Sequence, residues 1–140
     1  MSRRSGFTLV ELVVVVLILG ILAAIAVPKV FNNADEAADS AAAQTLASIR
    51  DAVELYKTQT IAGGYPEGTS VQIQTKLKPY IRGTSFPKAK VGGLNSSAIK
   101  IDNFLMVGGT EGWVYNPANG DIIINSNELT TDGVTKYSDL

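Results

Sequence analysis

A single carboxylate, Glu11, stands inside the run GFTLVELVVVVLILGILAAIAVP, Gly6 to Pro28. Sixteen residues without a charge, Leu12 to Val27, follow it. A carboxylate at membrane depth costs about 2.5–3.5 kcal/mol at a helix centre and less near the helix end. Its plainest use is as a first-turn acid that complements the positive end of the helix dipole. The chemistry that would demand it is charge pairing with a cation away from water, where removing either partner is costly.

Other groups with chemical potential are sparse. Asp121, Asp132 and Asp139 are oxygen donors in turn-like segments. Calcium takes six to eight oxygens, and no spacing here resembles an EF-hand loop, so solvated turn acids are the simpler reading. The chain has no His and no Cys. That removes the usual zinc sites, thiol nucleophiles, Ser-His-Asp triads and disulfides together. There is no paired-carboxylate or phosphate-loop motif, and Gly92-Gly93 and Gly108-Gly109 read as turns. An enzyme therefore lacks a catalytic constellation. Lys and Arg number 12 against 13 Asp and Glu, for a net charge of −1, and no basic stripe points to nucleic acid.

These residues need elements to position them. The chain has 140 residues, enough for one domain, and its mean hydropathy of +0.17 comes from an excess concentrated in residues 7–28. Phe7 to Val27 is 21 residues, close to the roughly 20 a bilayer-spanning helix needs. Arg3 and Arg4 precede it and favour a cytoplasmic N-terminus, with the remainder sent outward. A cleaved secretory signal is a rival reading, with Ala24-Ile25-Ala26 as its cleavage site. Against it, Glu11 interrupts the apolar core and a helical pattern continues past the cut. A twin-arginine signal fits less well, because Gly6 displaces the expected apolar pair.

Pro28 would kink or locally melt a helix. Beyond it, residues 34–57 are rich in helix formers and hold no Gly or Pro. Ala38, Ala42, Leu46 (or Thr45), Ile49, Val53 and Tyr56 recur at three- and four-residue spacing, an amphipathic stripe. One helix is therefore expected from about Phe7 to Thr58. Residues 61–68 form a turn-rich break, and residues 71–81 read as a short helix ending near Lys78. Ala98–Val107, Gly112–Tyr115 and Asp121–Ile124 read as strands, the last two joined by a hairpin turn at Asn119-Gly120. The expected fold class is α+β: a long N-terminal helix packed on a small antiparallel sheet.

Gly6-Phe-Thr-Leu-Val-Glu11 and the apolar run behind it resemble the processing site of type IV pilins and of the pseudopilins of type II secretion systems. The resemblance covers roughly Gly6 to Ile49. It implies a leader, residues 1–6, removed by a prepilin peptidase between Gly6 and Phe7. Phe7 would then be N-methylated, and Glu11 would pair with the amine of Phe7 on a neighbouring subunit and set the register of assembly. The implied organisation is leader (1–6), transmembrane and fibre-core helix (7–28) and periplasmic pilin-like globular domain (29–140). The implied setting is the bacterial inner membrane, with the N-terminus cytoplasmic, lipid around the anchor and a fibre in the periplasm or at the surface. Implied partners are copies of the chain itself in a helical fibre, the peptidase, an inner-membrane assembly platform and minor pseudopilins. Chain length, Tyr65-Pro66 and the lack of cysteine favour the major pseudopilin over a surface pilin. Calcium at a C-terminal loop is a family feature, with Asp121, Asp132 and Asp139 the candidates here. A reading of another class is a membrane-tethered or exported domain that recognises a ligand with its sheet.

Overall fold

A computed structural model describes residues 6–60 and 63–140; for residues 27–33 it describes the helical backbone alone. The expected leader residues 1–5, with Arg3 and Arg4, lie outside the described residues, as do Ile61 and Ala62 of the turn-rich break. The chain divides into two compact units, Met1–Asp35 and Glu36–Leu140.

Helix α1, Leu9–Gln59, contributes to both units. Within the first, the four valines Val13–Val16 are β-branched and poor helix formers in water. In hydrocarbon the balance reverses, because an apolar segment must satisfy every backbone N–H and C=O internally. Leu9–Ala26 forms an 18-residue helical window of mean hydropathy 3.1, long and apolar enough to cross a membrane. Its side chains are exposed all round. Pro28 does not melt the helix: the helical assignment continues through it.

In the second unit, α1 shows its amphipathic stripe. Ala42, Leu46, Ile49, Ala52 and Val53 are buried and Tyr56 is half-buried, while Asp51 and Glu54 face solvent. The expected stripe is thus found with one correction. Ala38 is exposed, and the neighbouring half-buried position belongs to Asp39, whose carboxylate is hydrogen-bonded to the C-terminal segment.

Helix α2, Ser70–Leu77, starts with a capping box. The Thr69 hydroxyl accepts from the Gln72 amide, and the Gln72 side chain accepts from the Thr69 amide. It buries Ile73 and Leu77, and a 3-10 turn over Lys78–Tyr80 accommodates Pro79. This matches the four-residue spacing and the expected end near Lys78.

Three short strands follow: β1 (Ile99–Ile101), β2 (Trp113–Tyr115) and β3 (Ile122–Ile124). They lie in the order β1-β2-β3. The hairpin β2–β3 is antiparallel, with Trp113 opposite Ile124 and Tyr115 opposite Ile122. Gly120 supplies the positive φ, +81°, that its turn requires. The antiparallel expectation fails at β1, which pairs parallel to β2, Ile99 opposite Trp113, so the sheet is mixed. A parallel pair needs a crossover rather than a tight turn, and residues 102–112 supply it.

That crossover also corrects the expected strand Ala98–Val107, of which only Ile99–Ile101 pairs. Leu105 takes φ +54°, a left-handed conformation that costs a bulky residue about 1–2 kcal/mol. Neighbouring groups hold it there. Asp102 receives the Leu105 amide on its carbonyl and the Phe104 amide on its carboxylate. Buried Asn116 donates to the Asn103 carbonyl at 2.8 Å. Buried Asn125 accepts from the Gly108 amide at 2.7 Å and donates to the carbonyls of Gly108 and Glu111.

One hydrophobic cluster joins the stripe of α1, Ile73 and Leu77 of α2, and Ile99, Trp113, Tyr115, Ile122 and Ile124 of the sheet. A long helix thus covers one face of a small sheet, as the α+β expectation requires. Polar ties lock this arrangement. Arg50 of α1 donates to the Ile122 carbonyl at 3.3 Å and the Leu140 carbonyl at 2.9 Å. Pro66 is fully buried, and its neighbour Tyr65 accepts from Lys57 at 2.7 Å.

Candidate processing and assembly site

Gly6, Phe7 and Thr8 precede α1 in exposed, non-helical chain. Phe7 is 81% exposed, and a Cβ placed at Gly6 would meet nothing within 4 Å. The fold of this chain therefore leaves the Gly6–Phe7 peptide open to an external reagent. Among the described residues nothing demands glycine at position 6.

Thr8 is where the sequence turns into helix. Its hydroxyl accepts from the Glu11 amide at 3.3 Å. In return the Glu11 carboxylate accepts from the Thr8 amide at 2.9 Å and the Thr8 hydroxyl at 2.8 Å. This is a reciprocal capping box, which satisfies two of the amides a helix start leaves unpaired. The Thr8-x-x-Glu11 spacing carries that signal in the sequence, and reading Glu11 only as a charge overlooks it. The box fixes the carboxylate beside the chain leading into α1, one turn from Phe7. Both Thr8 bonds fall on Oε2, so Oε1 carries neither.

Residues 1–27 match the family described as the prokaryotic N-terminal methylation motif. The chain carries a prokaryotic N-terminal methylation motif. Beyond it, the chain is similar to type II secretion system core protein G of Pseudomonas aeruginosa, 47% identical over 68 residues, 47% of this chain and 46% of the relative. It is 42% identical over 55 residues to core protein G of Aeromonas hydrophila, 39% of this chain and 38% of the relative. It is also 42% identical over 64 residues to the type IV narrow pilus major component PilA5 of Thermus thermophilus, 46% of this chain and 53% of the relative. The matched segments span about half the length of these relatives, or less. None of these relatives is named as an enzyme. No solved structure matches the chain.

The three aspartates considered for calcium do not come together. Among the described residues no group of three acidic side chains is placed to hold a metal. Asp121 sits beside β3 and is bonded by the Asn119 side chain. Asp139 accepts from the Ser138 hydroxyl at 3.1 Å in a 3-10 turn, Tyr137–Asp139. Asp132 is already engaged: it accepts from the hydroxyls of Thr130 and Thr135 and the amides of Val134 and Thr135, at 2.6–2.9 Å. Hydrogen bonds from Thr135, Val134 and Thr130 hold its carboxyl well below the usual carboxylate range. The arrangement does not offer these three aspartates to one ion.

Asp132 instead organises a clasp that sequence reading did not anticipate. Its loop lies by Asp39 of α1, which accepts from the Thr131 amide at 2.6 Å and from the Tyr137 hydroxyl. Partial desolvation raises the Asp39 pKa, but the bonds from Thr131 and Tyr137 outweigh it and leave the carboxyl lowered. A shallow depression of about 490 Å³ runs along this seam between Glu36, Asp39, Thr130, Thr131, Asp132 and Leu140. No local sequence spacing announces a pairing across 92 or 98 residues.

Proposed function

We propose that this chain is the structural subunit of a helical, type IV pilus-like fibre, the major pseudopilin of a type II secretion system. The observation that carries the reading is the methylation motif over residues 1–27 set on an open Gly6–Phe7 peptide, a capped helix start and an 18-residue apolar span. The similarity to core protein G of several species supports the choice of secretion system.

In this reading residues 1–6 are a leader cut by a prepilin peptidase at the cytoplasmic face of the inner membrane. Phe7 becomes the N-methylated first residue. Residues 7–28 anchor the subunit in lipid and later form the fibre core, and residues 29–140 form the periplasmic domain. Pro28 marks the point where the helix changes direction on assembly. Glu11 pairs with the Phe7 amine of a neighbouring copy as both leave water, so each subunit supplies one half of two ion pairs. An assembly platform and minor pseudopilins are the partners such a fibre uses. The similarity to PilA5 favours a second reading, the major subunit of a surface pilus.

The test is assembly in cells lacking any other copy of the subunit. Gly6→Ala should block cleavage, although the chain's own fold leaves room for the methyl group. Glu11→Ala should be cleaved but yield at least tenfold less fibre in the sheared fraction. Normal fibre from Glu11→Ala would remove the pairing role, and normal maturation of Gly6→Ala would remove the processing site.

A further inference from the structure

Residues 128–137 close on themselves as a small hairpin. Leu129 bridges Lys136 in antiparallel register, and the Tyr137 amide donates to the Glu128 carbonyl at 3.0 Å. Across the turn the Thr130 amide donates to the Thr135 carbonyl at 2.8 Å. Asp132 stands inside this turn. Its Oδ1 accepts from the Thr130 hydroxyl and from the amides of Val134 and Thr135, and its Oδ2 accepts from the Thr135 hydroxyl. All four donors belong to the turn itself.

Asp39 of α1 receives the finished hairpin. Its Oδ2 accepts from the Thr131 amide at 2.6 Å, and its Oδ1 accepts from the Tyr137 hydroxyl. Thr130 and Tyr137 are buried, and Tyr137 belongs to the hydrophobic cluster, so the contact seats the hairpin on the core. Asp132 shapes the hairpin and Asp39 docks it.

The resemblance to pilins implies calcium at the C-terminal loop, and a calcium ion takes six to eight oxygen ligands. The carboxylate oxygens of Asp39 and Asp132 instead each meet a hydrogen-bond donor. Three of the donors are the backbone amides of Thr131, Val134 and Thr135. An amide N–H is a donor only and has no lone pair for a cation. Glu36 lines the same depression without a donor among the described residues, which leaves one free carboxylate where the ion needs several oxygens. These residues do not fit the ion.

We propose that Asp39 latches the 128–137 hairpin to α1 without calcium, in the part of the fold where the resemblance implies an ion. The latch belongs to the fold of one subunit and does not rest on the fibre reading.

Full-length chain extracted in detergent carries the test, with Trp113, the only tryptophan and fully buried, as the reporter of melting. The midpoints in millimolar calcium chloride and in excess EGTA should agree within about 2 °C, where an ion about a hundredfold above its Kd would add about 10 °C or more. Asp39→Asn keeps the size of the side chain and removes its charge. In EGTA it should raise amide hydrogen exchange over residues 128–137 by about tenfold or more and leave residues 113–124 unchanged. Tyr137→Phe, which loses only the hydroxyl, should raise exchange over the same hairpin by about threefold or more. A midpoint higher in calcium by more than about 2 °C would overturn the metal-free latch. Hairpin exchange unchanged by Asp39→Asn, or raised equally over residues 113–124, would remove Asp39 as its keeper. A chain that behaves as expected in detergent but builds no fibre in cells would keep the latch and remove the fibre reading.

Discussion

The Thr8 amide and hydroxyl both donate to one oxygen of the Glu11 carboxylate, at 2.9 and 2.8 Å. Glu11 therefore has a structural role inside its own chain. It caps α1 and is held, by the helix it caps, one turn from Phe7. In the proposed assembly, a carboxylate positioned in this way would meet an amine without first having to be ordered.

Two contributions of Glu11 can be separated by magnitude. Loss of an N-terminal cap costs about 0.5–2 kcal/mol. Loss of one partner of a buried ion pair costs about 3–5 kcal/mol. Glu11→Gln keeps the box, since glutamine serves the same position, and removes only the charge. It should be cleaved normally and assemble as poorly as Glu11→Ala, at least tenfold below wild type in recovered fibre. Recovery near wild type would assign Glu11 to capping alone.

Gly120 tests the joint between the hairpin and the segment after α1. Its φ is +81°, and a Cβ there would lie 2.2 Å from the Tyr65 ring. Left-handed strain of about 1–2 kcal/mol and overpacking of about 1–3 kcal/mol both act against Gly120→Ala. Thermal melting of the full chain in detergent should fall by at least about 5 °C. An unchanged midpoint would mean that Tyr65 does not pack on this turn.

The C-terminal clasp should be acid-sensitive. Asp132 and Asp39 both have carboxyl groups lowered from an ordinary value of 3.8. A lowered folded-state pKa gives stability that is present above the unfolded value and lost as pH falls toward the folded one. Wild type should therefore hold its melting midpoint above about pH 4–5 and lose it progressively below. Asp132→Asn should melt lower at neutral pH and show a shallower acid loss. A parallel acid loss in both proteins would remove Asp132 from the clasp.

The parts of this molecule that depend on local pattern were legible. Val13–Val16 and their neighbours announce an apolar span, and Ala42, Leu46, Ile49 and Val53 announce the buried stripe of α1. Asn119-Gly120 announces the hairpin, and the spacing of Ile73 and Leu77 announces α2. What depends on distant partners was not. Three-residue strands are too short for alternation to show direction, so nothing marked β1 as parallel to β2. The β-forming residues Phe104–Val107 lie in a loop whose flanks, Asn103 and Gly108, are bonded to Asn116 and Asn125, partners set by tertiary position. At the candidate site, the sequence names Gly6, Phe7 and Glu11 by motif, and the reciprocal Thr8–Glu11 cap stands in the Thr8-x-x-Glu11 spacing. The Asp39–Tyr137 and Asp39–Thr131 bonds were not, because their partners stand 98 and 92 residues away.

The proposed function requires a cut after Gly6 that leaves Phe7 as the first residue. Intact-mass and N-terminal peptide mass spectrometry of the membrane-extracted protein tests it most directly. The expected product is a mature chain that begins at Phe7 and carries one added methyl group on its amine. A chain that begins at Val27, or one that keeps Met1–Gly6 in cells containing a prepilin peptidase, would contradict it.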